Sequence, residues 1–353
     1  MRAPQFARRS FSAAVCALAL AACGKESGPS QFNPEGATAD VAAAQGAFVS
    51  TPSTSFAALG ADISTVLGGS PVASTAPLTL MRPSAGTARY AEQLVRLLPG
   101  GGSRIQATVT AIPSAVVGTT FVWDTATDAY VASDLPGAPS NGVRFVLYAI
   151  DPITLRPVEP VTEVGYVDLI DQSTASSISF RVKVVDGNIV YLDYSVAATG
   201  SSSGGAVTVS GYASNGTDRA NFTLKNTVSQ SATGLVLSLE YDLSVPSRDV
   251  TLDWTATFAN ISDTEVVVTL DLAISGSNGD VRLVGTYGAA GGTFTVTVNG
   301  DAFATVTLDG STPVITGAGG QPLTPAEEET LNTILDYYDQ SLGAFTALLA
   351  PLG

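Results

Sequence analysis

Between Ser103 and about Leu308, apolar and polar residues alternate with a period of two. That spacing places one face of a β-strand in a core and the other in water. Ile178, Phe180, Val182 and Val184 alternate with Ser, Arg and Lys, and beyond Asp186-Gly187-Asn188 the residues Val190, Leu192, Tyr194 and Val196 do the same. The cleanest strands are predicted at 235–243, 250–258 and 266–274, where every second residue is apolar. Asn215-Gly216 and Asn299-Gly300 lie between alternating runs and tolerate the positive φ of two-residue hairpin loops. The pattern predicts roughly a dozen to fifteen strands joined by short turns, an antiparallel meander in which sequence neighbours pair. Twisted sheets beyond about ten strands curl, split or close. The expected fold class is therefore mainly β: a large curved antiparallel meander, half-barrel or barrel-like, with its dry face inward.

The period changes to three and four on both flanks. Phe56, Leu59, Ile63 and Val66 form one helical stripe, ended by Gly68-Gly69, and Tyr90, Leu94 and Leu97 form another, stopped by Pro99. After the strands, Thr324-Pro325-Ala326-Glu327 is a capping box with proline at the first helical position. It opens a helix predicted to run to Leu349, with Leu331, Leu335, Tyr338, Leu342, Phe345 and Leu349 on one face and Asn332, Asp336, Asp339 and Gln340 on the other. One face must stay wet, so this helix suits an open sheet that it covers as a lid, with the short early helices filling the rest of the concave face. The predicted organisation is a leader over 1–22, a Gly/Ala/Ser/Pro-rich tether over 23–53 with a short helical pattern near 40–48, short helices over 54–100, the β-domain over 103–320 and the lid helix over 324–349.

The leader carries the most specific motif. Arg2, Arg8 and Arg9 precede an apolar run from Phe11 to Ala22, too short for the roughly 20 residues a spanning helix needs. The run ends in Leu20-Ala21-Ala22-Cys23. It resembles the signal peptide of the bacterial lipoprotein class, whose cysteine is lipidated and becomes the first residue. The resemblance implies a covalent lipid on Cys23, a cell-envelope location and a membrane partnership through the anchor. Gly24, where inner-membrane retention calls for Asp, implies the outer membrane of a diderm bacterium. Arg8-Arg9-Ser10-Phe11 also resembles a twin-arginine export motif, so Sec and twin-arginine routes both stay open.

Composition narrows the function. Removing Arg2, Arg8 and Arg9 with the leader deepens the formal charge from −15 to −18, which disfavours nucleic acid and a polybasic membrane-surface mode. Cys16 leaves with the leader, so the mature chain has no disulfide. There is no histidine, which removes Ser/His/Asp and Cys/His catalysis and His-containing metal sites. The expectation is not an enzyme and no cofactor beyond the lipid.

Two sets of residues remain as candidates. Pairing the strands with Tyr241 opposite Leu252 would set Glu240 opposite Asp253 and Asp271 beside it, a carboxylate ladder on the wet face that could take calcium. Asp124-Thr125-Ala126-Thr127-Asp128 offers oxygens too, but without a closing Glu it reads as a hairpin turn. Trp254, Leu331, Leu335, Tyr338, Leu342 and Phe345 form the other set, lining either a core or a hydrophobic-ligand site. A curved sheet under a helical lid is similar to the clasp of lipoprotein-carrier and lipid-binding envelope proteins of the LolA, LolB and LppX type, at the level of fold alone. The expected function is a non-catalytic structural or interaction module on an envelope lipoprotein, partnering an envelope protein. The alternative is a carrier or sensor of a hydrophobic ligand. A transmembrane barrel is disfavoured because the chain ends in a helix and Pro351-Leu352-Gly353.

Overall fold

The computed structural model describes residues 32–67, 112–174, 177–201, 204–231, 234–261, 266–288, 290–308 and 313–348. The leader, Cys23 and the stripe of Tyr90, Leu94 and Leu97 lie outside these described residues.

Fifteen strands follow one another: β1 (Thr120–Asp124), β2 (Ala129–Ser133), β3 (Gly142–Tyr148), β4 (Glu163–Asp171), β5 (Ile178–Asp186), β6 (Ile189–Ser201), β7 (Gly204–Ser214), β8 (Arg219–Ser231), β9 (Gly234–Val245), β10 (Val250–Ile261), β11 (Val267–Ser275), β12 (Val281–Gly288), β13 (Gly291–Val298), β14 (Asp301–Leu308) and β15 (Pro313–Gly317). They form one sheet in which β3 to β15 pair with their sequence neighbours. The exception to the expected antiparallel order is β1, which lies parallel to β3 and carries β2 on its outer side. Backbone bonds from Gly118 to Gly142 and from Arg144 to Thr119 hold it there. The two edges, β2 and β15, do not meet, so the meander is a curved open sheet.

The alternation read from the sequence is the alternation of burial. In β9, Leu237, Leu239, Tyr241, Leu243 and Val245 are buried while the residues between them face outward. Asn299 (φ 50°) and Gly300 (φ 86°) make the expected two-residue hairpin between Val298 and Asp301. Asn215-Gly216 does not. That loop spans 215–218, because the Asn215 side chain accepts from the amides of both Thr217 and Asp218 and stabilises a longer turn.

Four helices complete the described chain: α1 (Pro34–Gly46), α2 (Thr51–Ala58), α3 (Gly60–Leu67) and α4 (Pro325–Leu348). The capping box of α4 forms in both directions, from the Thr324 amide to Glu327 Oε2 at 2.7 Å and from the Glu327 amide to Thr324 Oγ1 at 3.3 Å. The expectation of a tether reaching residue 53 is corrected. Asn33 caps α1 and Ser50 caps α2, so folded structure begins some twenty residues earlier than the composition suggested. The buried face of α1 is Ala37, Val41, Ala43 and Ala44. Small side chains let it approach α4 closely, with Thr330 Oγ1 3.0 Å from both Thr38 Oγ1 and the Pro34 carbonyl oxygen.

Residues 32–67 run along one end of the sheet, touching one turn after another. The Asn33 amide donates to Asn278 of the β11–β12 turn. Asp40 accepts from Asn278 at 2.6 Å and pairs with Arg248 of the β9–β10 turn at 3.5 Å. The Gly46 carbonyl accepts from Asn215 of the β7–β8 turn. Ser55 donates to the carbonyl of Tyr148 at the end of β3, and Asp62 meets Arg156 in the β3–β4 loop. We call this the proximal end. From it α4 crosses the dry face to β6, where Tyr194 donates to the Leu348 carbonyl oxygen at 3.1 Å.

Candidate functional site

The first candidate set lies where α4 crosses the sheet. Trp254 and Tyr241 occupy paired positions on β10 and β9, with ring centres 5.7 Å apart. Tyr338 of α4 meets Trp254 edge-on at 6.2 Å, and the Tyr337 and Tyr241 hydroxyls are 3.1 Å apart. Leu331, Leu335, Tyr338 and Trp254 are all buried in one continuous apolar cluster with the sheet. The side chains of Leu342 and Phe345 lie outside the described residues. Burial holds the Tyr241 and Tyr338 phenols well above their usual range and pushes Tyr337 up to about 12, so all three are neutral at ordinary pH. Neutral phenols in an apolar bed offer no nucleophile and no base. The indole nitrogen of Trp254 and the hydroxyl of Tyr338 are buried without a hydrogen-bond partner among the described residues.

Sequence periodicity missed two members of this layer, Ile334 and Tyr337, both buried. Besides the sheet, the helix packs against α1, and Tyr337 reaches Tyr241 of β9 from beside the predicted stripe.

The carboxylate ladder of Glu240, Asp253 and Asp271 does not assemble. Register is shifted by two residues: Tyr241 lies opposite Trp254, Glu240 and Asp271 both lie opposite Thr255, and Asp253 lies opposite Asp242 and Ala273. A two-residue β9–β10 turn would have given the expected pairing. Instead residues 246–249 form a longer turn, a Pro246-started helical turn with Asp249 in the left-handed region (φ 51°), and loop length sets hairpin register. Cations from neighbouring strands also neutralise two of the three carboxylates. Lys225 reaches Glu240 at 3.4 Å, and Arg282 grips Asp271 through two bonds of 2.9 and 2.6 Å. The same cross-strand device recurs as Arg144–Asp168 and Arg181–Asp193, each closest at 2.7 Å.

What the wet face does bring together is Asp253 and Asp242, in a shallow groove of about 360 Å³ shared with Ser210, Asn221, Thr223 and Thr251. Burial, and then the Asp242 charge, raise the Asp253 pKa. The folded state therefore pays for the ionised form. That cost is absent below the ordinary carboxylate range and appears as pH climbs through the raised value. Asp253→Asn is expected to raise stability at pH 7 by about 0.5 kcal/mol, with the gain fading in acid. Paired melting curves at pH 7 and pH 3.5 test this, and a destabilised variant at pH 7 would give the pair a positive role. Among the described residues no group of three or more acidic or sulfur side chains is placed to hold a metal ion.

The Asp124–Asp128 segment is a hairpin turn between β1 and β2. Asp124 accepts from the Thr127 hydroxyl at 2.8 Å and the Ala126 amide at 3.1 Å, which lowers its pKa and occupies both carboxylate oxygens. Trp123, beside it, packs edge-on against Tyr130 with ring centres 5.4 Å apart.

Comparison with family models, curated proteins and solved structures found no match. Among the described residues no helix is long and apolar enough to cross a membrane, which leaves strands unaddressed.

Proposed function

We propose that the protein is a lipid-anchored envelope lipoprotein whose β-domain is a non-catalytic structural or interaction module. The lipid sits on Cys23. The anchor follows from Leu20-Ala21-Ala22-Cys23 behind an arginine-bearing apolar leader, and Gly24 favours the outer membrane. One observation supports the non-carrier role of the domain: Leu331, Ile334, Leu335, Tyr337 and Tyr338 of α4 are buried against the sheet, so the chain's own helix occupies the face a ligand would need. The paired carboxylates of the wet face are two exposed or half-exposed acids without a histidine or a cysteine near them, which supports a non-enzymatic reading.

A carrier of hydrophobic ligands is the second reading. It draws on the unpartnered Trp254 indole and Tyr338 hydroxyl beneath the helix, polar atoms in an apolar layer that a ligand headgroup could satisfy. Native mass spectrometry of the protein taken from cells, with the anchor segment removed by proteolysis, separates the two. The bare polypeptide mass is the expected result. A lipid retained at one per chain would overturn the structural reading.

A further inference from the structure

The loop between β3 and β4 is a hairpin extension that projects apolar side chains into solvent. Its stem is paired, the Ala149 amide donating to Thr162 and the Asp151 amide to Arg156. At the tip, Asp151 Oδ1 accepts from the amides of Ile153 and Thr154 at 2.9 and 2.8 Å, and the Leu155 amide returns to the Asp151 carbonyl. This order holds Ile153 at 90% exposure and Leu155 at 55%, with Val158 and Val161 exposed on the return limb. An isoleucine so exposed on a tip fixed by three hydrogen bonds above a paired stem is presented, not merely left over. Val49 and Ile189 are exposed at the same end, beside the β7–β8 and β5–β6 turns.

That end is where the described chain begins. Phe32 lies against Phe303 and the β11–β12 turn, nine positions along the chain from Cys23. Even fully extended, nine residues reach about 30 Å. The opposite end also exposes Val117, Leu135 and Val314, but no anchor leads to it.

We propose that the proximal end faces the bilayer and that the β3–β4 tip, led by Ile153 and Leu155, is a second membrane contact. The inference rests on lipidation of Cys23. The charge of the same end defines the surface it takes: Asp151, Glu159, Asp186, Asp218, Asp280 and Asp301 ring the turns against Arg156, Arg219 and Arg248, of which Arg156 pairs with Asp62 and Arg248 with Asp40. The tip therefore enters zwitterionic lipid, and anionic lipid repels it.

The test uses full-length protein lipidated in cells and reconstituted in phosphatidylcholine/phosphatidylethanolamine vesicles, with Ile153→Cys carrying an environment-sensitive thiol fluorophore. Gln230→Cys, exposed at the opposite end, is the control. A lipidated Cys23 has no free thiol, so the parent protein takes no label. The expected result is a blue shift and quenching by spin-labelled lipid at position 153, neither at position 230, and at least a twofold loss of quenching when a third of the lipid is anionic. An anchored protein whose position 153 fluorophore stays in water, or that moves out of water only when other envelope proteins are added, overturns the membrane contact and leaves the anchor standing. A parent protein that takes label at Cys23 overturns the anchor, and the contact with it.

Discussion

Cys23→Ala is expected to abolish acyl labelling and to move the protein from the membrane fraction to the soluble fraction, while Cys16→Ala is expected to leave both unchanged. Each buried methylene of an acyl chain contributes about 0.8 kcal/mol, so a cysteine bearing more than one chain is held stably and the loss is all-or-none. A hairpin tip of two large apolar residues is too weak an attachment to replace the acyl chains, and among the described residues no helix is long and apolar enough to cross a membrane. Metabolic labelling with a tagged fatty acid and carbonate-washed membranes read the outcome. Continued labelling of Cys23→Ala would remove the lipoprotein reading.

The second large effect is in the core. Trp254 is 2% exposed between Tyr241 and Tyr338, and Trp254→Ala is expected to cost about 3–5 kcal/mol, because α4 cannot collapse into the space while Tyr337 pins it to Tyr241. Against a domain stability of roughly 5–15 kcal/mol, that leaves a marginal fold. Tyr338→Phe is the informative companion. Its hydroxyl has no partner among the described residues, so removing it is expected to be neutral or stabilising by up to about 1 kcal/mol. Chemical denaturation measures both. A Tyr338→Phe variant clearly less stable in protein isolated from cells, but not in protein refolded from denaturant, would show the hydroxyl holding something the refolded chain lacks.

Much of this fold is legible in the chain because a strand with one wet face writes its period directly: β9, β10 and β11 are readable residue by residue. Register is not, since it depends on the geometry of turns two to four residues long. Pro246 to Asp249 displaced the carboxylates by one pleat pair and dissolved the ladder of Glu240, Asp253 and Asp271. The alanines of α1 were misread for a different reason. Ala37, Ala43 and Ala44 contribute little apolar area, so Pro34–Gly46 looks like linker by composition, yet small size is what lets it lie against α4. The aromatic layer is legible at Trp254, Leu331, Leu335 and Tyr338 and illegible at Ile334 and Tyr337; Tyr337 meets Tyr241 of the sheet from beside the stripe that periodicity picks out. The β3–β4 tip carried a signal in Asp151-Pro152-Ile153-Thr154-Leu155, a turn sequence enclosing large aliphatics, that periodicity passes over.

The belt of α1 to α3 also orders the way the molecule is made. Asn33 bonds Asn278, and Thr38 bonds Thr330, across separations of 245 and 292 residues. The first of the described helices docks on the turns of β7 to β12 and on α4, so its last partner exists only when synthesis is nearly complete. Contacts this distant in sequence make folding slow, and they place the final closure after synthesis, when both ends of the chain are free to meet.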